Sequence, residues 1–207
     1  MTAVVDYGVG NLFSVVCSLG KIGEKAVVTG DPGVIARADR MILPGVGAFA
    51  DAADKLESTG LGGVVKKLAG EGMPLLGICL GMQLLFDESR EFGAHAGLGL
   101  LKGTVVPISD VVPKGYKIPH MGWNSLIFKK RDPLFRYINE YDDVYFVHSY
   151  HAAGCSEDVA AVTDYGAEIT AAAVRKNVAG FQFHPEKSGK TGLMLLRAFC
   201  ESKEGLC

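Results

Sequence analysis

Four short apolar segments, each followed by a turn or helix-start signal, constrain this chain more than any other feature. Val4-Val5-Asp6 runs into Gly8-Val9-Gly10, and Asn11 then caps a helix with Leu12, Phe13, Val16 and Leu19 on one stripe. Ala26-Val27-Val28 leads to Asp31-Pro32, a cap followed by proline in the first turn. Met41-Ile42-Leu43 enters Pro44-Gly45-Val46-Gly47, with helical patterns over 48–58 and 61–70. Pro74 to Ile78 is a fourth strand, ending at Cys79. Strands that are apolar throughout and alternate with amphipathic helices belong to a parallel sheet covered on both faces.

The second half follows another pattern. Thr104-Val105-Val106, Ser125 to Phe128, Val144 to Val147, Val159 to Thr163, Ile169 to Val174 and Gly180 to Phe183 are strand-like with short turns between them. They predict antiparallel additions, and a last helix is expected from about 189 to 203. With 207 residues the chain suits one domain, 1–207: α/β, with a central mostly parallel sheet flanked by helices.

Composition removes several functions. Twenty-one basic against 23 acidic side chains leave a net charge of −2, so no basic footprint for nucleic acid or an anionic membrane exists. Mean hydropathy is +0.21, but the richest apolar stretch, Met73 to Phe86, is interrupted by Gln83 and is too short to span a bilayer. No basic segment precedes the first apolar run, so a signal peptide is not expected there. Five cysteines, an odd number without metal-ligand spacing, suggest free thiols in a reducing compartment.

The most informative stretch is Pro74-Leu75-Leu76-Gly77-Ile78-Cys79-Leu80-Gly81-Met82-Gln83. An apolar strand ends in Gly-x-Cys-x-Gly and continues as a helical pattern from Leu80 to Phe86, the context of a nucleophile elbow. Flanking glycines permit a tight turn that projects the thiol from the sheet edge. A helix amino terminus beneath it favours negative charge, and the Leu80 amide would point where an oxyanion develops. The competing reading is an inert cysteine buried at a strand end.

A thiolate nucleophile needs a proton carrier and a group to orient that carrier. His184, in Phe181-Gln182-Phe183-His184-Pro185-Glu186, stands at another strand end, with Glu186 two residues on. Open parallel sheets gather ligands at such ends. Three other patterns are weaker. His184 to Thr191 ends like a phosphate loop, but His184 replaces its first glycine; Gly8-Val9-Gly10 lacks the third glycine of a dinucleotide turn, where Phe13 stands. His148 and His151 have ligand-like spacing but no third partner, so neither a metal nor a cofactor is expected.

Gly77 to Gln83 together with Phe183-His184-Pro185-Glu186 resembles the class I (triad) glutamine amidotransferases, whose fold is flavodoxin-like. Asp6 to Leu12, Leu43 to Phe49, Pro119-His120-Met121-Gly122-Trp123-Asn124, Tyr145 to Tyr150 and His184 to Ser188 narrow the resemblance to the glutaminase subunits of imidazole glycerol phosphate synthases. It runs from residue 6 to about 200. The resemblance implies Cys79 as nucleophile, His184 as proton carrier and Glu186 as its orienting group. It assigns the oxyanion hole to Leu80 and Gly47, and the two ends of glutamine to Gln83 and the Ser149-Tyr150 backbone. It further implies a cytoplasmic heterodimer with a (β/α)8 barrel cyclase, docked near Trp123, Lys187 and Asn11.

Two alternatives stay open at this point. One is the same chemistry serving another synthase, for anthranilate, aminodeoxychorismate, purine or pyridoxal phosphate formation; the Pro119 to Asn124 and Tyr145 to Tyr150 segments speak against it. The other is a non-catalytic binding protein with a cysteine elbow, which would have no need of both His184 and Glu186.

Overall fold

The computed structural model describes residues 1–202. Its strands are β1 (Thr2–Val5), β2 (Ala26–Thr29), β3 (Arg40–Gly45), β4 (Leu75–Cys79), β5 (Glu88–Ser89), β6 (His95–Ala96), β7 (Thr104–Pro107) and β8 (His120–Ser125). They continue as β9 (Ile127–Phe128), β10 (Asp143–His148), β11 (Tyr150–Ala153), β12 (Val159–Asp164), β13 (Glu168–Arg175) and β14 (Val178–Phe181). The helices are α1 (Leu12–Lys21), α2 (Pro32–Ala36), α3 (Phe49–Ser58), α4 (Leu61–Gly70), α5 (Leu80–Gln83) and α6 (Gly189–Glu201). Among the described residues no helix is long and apolar enough to cross a membrane.

An eight-stranded sheet of order β2-β1-β3-β4-β14-β13-β12-β9 forms the centre. The first five of these strands are parallel, and the last three add antiparallel pairs. Side chains alternate across each strand, which divides the core in two. Ala3, Val5, Met41, Leu43 and Leu75 join the cluster under α3 and α4. Val4, Ile42, Leu76 and Ile78 join the cluster under α1 and α6, with Leu19, Leu196 and Phe199. Both faces are therefore covered, the architecture that uniformly apolar strands require.

Register places the functional end of this sheet. Gly45 lies beside Cys79 in the β3–β4 ladder, and Ile78 lies beside Phe181 in the β4–β14 ladder. The carboxyl ends of three neighbouring strands thus gather the Val46-Gly47 loop, Cys79 and the His184 turn at one edge. Two smaller sheets, β10-β8 and β11-β7-β5-β6, close that edge from the side.

Several local expectations are corrected. Phe13 is 79% exposed rather than part of the core stripe of α1. The Asn11 cap bonds the Ser14 amide and so sets the phase of the helix; Val15, Ser18 and Leu19 face inward, and Phe13 falls roughly opposite Val15. The helix after Cys79 stops at Gln83 instead of reaching Phe86. Carbonyls of Leu84, Leu85 and Phe86 accept from the amides of Leu98, Leu100, Leu101 and Gly99, so tertiary bonds replace further helical ones. The strand expected over Ser125 to Phe128 breaks at buried Leu126, where the chain passes from its pairing with β10 to a pairing with β12. The last strand ends at Phe181 and not Phe183: the Gln182 amide still bonds the Ala171 carbonyl of β13, but the His184 amide turns away to the Tyr145 carbonyl of β10. The final helix ends at Glu201 rather than continuing, since Ser202 is an extended cap whose amide bonds the Phe199 carbonyl; position 203 of the expected helix lies outside the described residues.

Two glycine substitutions should separate the close-packed elbow from an open helix surface. A Cβ on Gly81 would lie 1.8 Å from the Leu43 carbonyl oxygen, whereas one on Gly20, in α1, meets nothing within 4 Å. Urea unfolding should show Gly20→Ala more stable by about 0.5–1 kcal/mol, from its better helix propensity. Gly81→Ala should lose at least ~3 kcal/mol, since two backbones must separate.

Candidate active site

Cys79 sits in a conformation that few side chains adopt, φ +55° and ψ −112°. Such a residue costs about 1–3 kcal/mol and survives only where its surroundings determine it. The surroundings here are backbone on three sides. A Cβ on Gly77 would lie 2.6 Å from the Gly81 oxygen, and one on Gly45 would lie 2.7 Å from the Gly81 nitrogen. The glycines around the cysteine therefore serve contact between β3, β4 and α5 more than turn flexibility. At four residues α5 is short, so the thiol gains from its first amides rather than from a long helix dipole.

His184 is anchored through its own backbone. Its amide donates to the Tyr145 carbonyl at 2.9 Å, and its carbonyl accepts from the Ser188 hydroxyl at 2.6 Å. The same hydroxyl accepts from the Tyr145 amide, so one serine ties the histidine turn to β10. This commits Ser188 structurally and removes the residual likeness of His184 to Thr191 to a phosphate loop. Imidazole Nδ1 is 2.7 Å from Glu186 Oε1, both side chains are buried, and Nε2 is left to face Cys79. Glu186 Oε2 has no other partner among the described residues, so the carboxylate is spent on the imidazole alone. Burial pulls the His184 pKa down, but contacts with Cys79 and Glu186 outweigh it and raise it to about 9.

A cavity of about 310 Å3 opens over these groups. Its walls bring together Gly47, Cys79, Leu80, Gln83, Ser149, Tyr150, His184 and Lys187, all of them expected from the sequence. Gln83 is buried, and its Nε2 is spent on the Tyr150 carbonyl at 3.1 Å and on Gln182 Oε1 at 3.0 Å. Only its Oε1, an acceptor, remains for a ligand. Trp123 stays 54% exposed beside the cavity, edge-on to Tyr145, and the Lys187 ammonium lies over the same Tyr145 ring. Asn11 does not line the cavity; it is the cap of α1.

One residue of the cavity was not legible in sequence. Glu91 is a buried carboxylate in the wall near Tyr150, with Oε2 accepting from the Phe49 amide at 2.7 Å. It stands in the charged run Glu88 to Glu91, which resembles a solvated loop, and no local signal distinguishes it. Its bond to Phe49 also holds one end of the Val46-Gly47 loop. The other end is held by the Tyr7 hydroxyl on the Pro44 carbonyl at 2.8 Å. Between these anchors Val46 and Gly47 are exposed, and Gly47 has φ +96° with open space around it.

His148 is no half of a metal pair with His151. Its Nδ1 bonds the Tyr150 carbonyl and its Nε2 bonds His120, at 2.8 and 3.1 Å. Burial pushes its pKa down to about 3, so it is neutral at pH 7.

The assembled groups can perform acyl transfer: a strained thiol, a buried imidazole oriented by a carboxylate, and an exposed glycine loop beside them. The model of the family described as glutamine amidotransferase class-I matches residues 3–202. The chain is 50% identical over 203 residues to the imidazole glycerol phosphate synthase subunit HisH of Wolinella succinogenes, covering 97% of this chain and 99% of that one. It is 48% identical to the HisH subunit of Aquifex aeolicus, covering 99% and 98%. In fold it is similar to a crystal structure of a glutamine amidotransferase, with TM-score 0.75, 19% identity and coverage of 96% and 97%. PurLQS of Thermotoga maritima is also similar, with TM-score 0.72, 21% identity and 96% of each chain covered.

The raised His184 pKa has a consequence for stability. A base that holds its proton more tightly when folded stabilises the fold fully below its unfolded pKa of ~6.5 and stops doing so above its folded value of about 9. Urea unfolding of the wild type should therefore show stability falling between pH 6.5 and 9. In His184→Asn the same window should be flatter; identical slopes would contradict the raised value.

Proposed function

The chain belongs to the class I glutamine amidotransferases, among the HisH subunits of imidazole glycerol phosphate synthase, and from that premise we propose that it hydrolyses glutamine with Cys79, His184 and Glu186. The observation that carries this reading is Cys79, held at positive φ on the carboxyl edge of the sheet beside the buried His184–Glu186 pair.

Glutamine enters as a zwitterion with a neutral side-chain amide. Its α-ammonium requires acceptors, which Glu91 and Gln83 Oε1 supply, and its α-carboxylate is met by the Ser149-Tyr150 backbone. His184 Nε2 holds the proton of the thiol, and the thiolate sulfur attacks the side-chain carbonyl carbon. The carbonyl electron pair moves to oxygen, which the amides of Leu80 and Gly47 receive once the loop has turned. Glycine at 47 makes that turn of the peptide inexpensive. His184 then protonates the departing nitrogen, the C–N bond breaks, and ammonia leaves a thioester on Cys79. Water attacks the thioester as His184 takes its proton; the C–S bond breaks, and glutamate is released with the thiol restored. Glu186 keeps the imidazole oriented and stabilises its cationic form throughout.

The ammonia passes to a barrel cyclase subunit that converts PRFAR to imidazole glycerol phosphate and AICAR, in the cytoplasm. Exposed Met121 and Trp123, with Lys187 at the cavity rim, supply an aromatic and basic surface for that subunit. The partner acts on the oxyanion loop: a cyclase that binds the turned loop better shifts its population. A ~100-fold activation needs only ~2.7 kcal/mol of differential binding.

Glutamate release, measured with and without the cyclase and its nucleotide ligand, tests the reading. The lone chain should be slow and rise about 100-fold in the complex. Cys79→Ala should abolish synthesis from glutamine and leave synthesis from ammonium salts intact, because the two chemistries are separate. Full glutamine-dependent activity in Cys79→Ala would end the mechanism. Glu91→Gln should raise KM for glutamine about tenfold, the loss expected when one charge-assisted contact to the α-ammonium goes, with a smaller effect on kcat.

A further inference from the structure

Gln182 is fully buried between two phenylalanines, a place where an apolar side chain would be expected. Phe181 and Phe183 stack on each other, 4.8 Å between ring centroids, and pack into the core under α1 and α6. Alternation sends Gln182 to the other side of the chain, toward Cys79. Burying a primary amide without partners is costly, so its hydrogen bonds state what it is for.

The orientation of that amide follows from a backbone group. The Tyr150 carbonyl can only accept, so the group of Gln83 that meets it is Nε2, at 3.1 Å. The same Nε2 meets Gln182 at 3.0 Å, which must therefore present its oxygen there. The Gln182 nitrogen is left, and it lies 3.8 Å from Cys79 Sγ. The sulfur's remaining backbone neighbour is the Val147 carbonyl at 3.9 Å, which can accept from a thiol but offers nothing to a thiolate. Gln182 and the His184 imidazolium, two residues apart in the turn after β14, are thus both donors to the charged sulfur.

We propose that Gln182 is a catalytic residue: its Nε2–H donates to the Cys79 sulfur, stabilises the thiolate and fixes its direction, while Gln83 and the Tyr150 carbonyl hold the donor in place. The inference rests on Cys79 being the nucleophile and adds to the triad a neutral donor in contact with the reacting atom. A neutral amide suits this position because it favours the thiolate without competing with His184 for the proton.

The test is alkylation by iodoacetamide, followed cysteine by cysteine by mass spectrometry, in the wild type, Gln182→Met and Gln182→Glu. Exposed Cys17 and buried Cys155 and Cys200 are internal references for the fold. At pH 7 the Cys79 labelling rate should fall about tenfold in both variants, the size expected for loss of one charge-assisted hydrogen bond. At pH 10 it should return to within about threefold of the wild type, a convergence that distorted packing would not produce. In the cyclase complex kcat should fall by a similar factor, with KM changed less. Unchanged Cys79 labelling at pH 7 in both variants would overturn the proposal. Labelling of Cys155 and Cys200 at the rate of Cys17 in both variants would also overturn it, assigning Gln182 to the core. A wild type whose Cys79 reacts no faster than Cys17 would strike the proposed nucleophile itself, a failure separate from that of Gln182.

Discussion

The backbone of α5 lies directly against the ends of β3 and β4, with no side chain between them at Gly45, Gly77 or Gly81. That contact forces Cys79 into a left-handed conformation and aims its thiol out of the sheet edge. The parallel registers then do the rest. Gly45 is level with Cys79 on one side, and Phe181 is level with Ile78 on the other, so the Val46-Gly47 loop and the histidine turn flank the thiol without any long connection. A single added methyl group at Gly81 would push the strands apart and disperse the site along with the fold.

Charge in the cavity is arranged by position more than by amount. Glu186 is buried and turned entirely to His184, and together with the Cys79 contact it raises the imidazole pKa above neutral pH. Glu91 is also buried, lines the cavity near Tyr150 and spends one oxygen on the Phe49 amide. The two carboxylates therefore have separate partners, one the imidazole and one the backbone at the start of α3. His148 shows the opposite case: buried and bonded to a carbonyl and another imidazole, it is driven to the neutral form and supports the wall.

Polar side chains far apart in sequence connect into one framework beneath the cavity. Ser188 joins the His184 turn to β10, and Gln83 joins α5 to Tyr150 and to Gln182. Each bond is made by a side chain inside the apolar core, where an unpartnered polar atom would cost on the order of 1–3 kcal/mol. The framework is consequently rigid where the substrate amide must be held. The Val46-Gly47 loop is held at its ends by Tyr7 and Glu91 and is exposed between them.

Much of this was legible in the residue order because it depends on local chemistry. Apolar strands, the Asn11 and Asp31 caps, the glycine-flanked cysteine and the His184-Pro185-Glu186 turn each carry their signal within a few residues. What local pattern could not supply was decided by contacts between distant segments. The helix after Cys79 ends early because carbonyls of Leu84 to Phe86 are taken by residues 98–101, and Phe13 faces outward because a cap sets the helix phase. Glu91 acquires its place only against the start of α3, and Gln182 only where the turn after β14 meets β4 and α5, since a carboxylate or an amide has no meaning for a site until its partners are fixed in space. Sequence by itself determined the strand–helix alternation and the reactive groups, through periodicity and turn chemistry. Tertiary structure alone decided which polar groups face the sulfur and the cavity, because hydrogen bonds across about a hundred residues are set by packing.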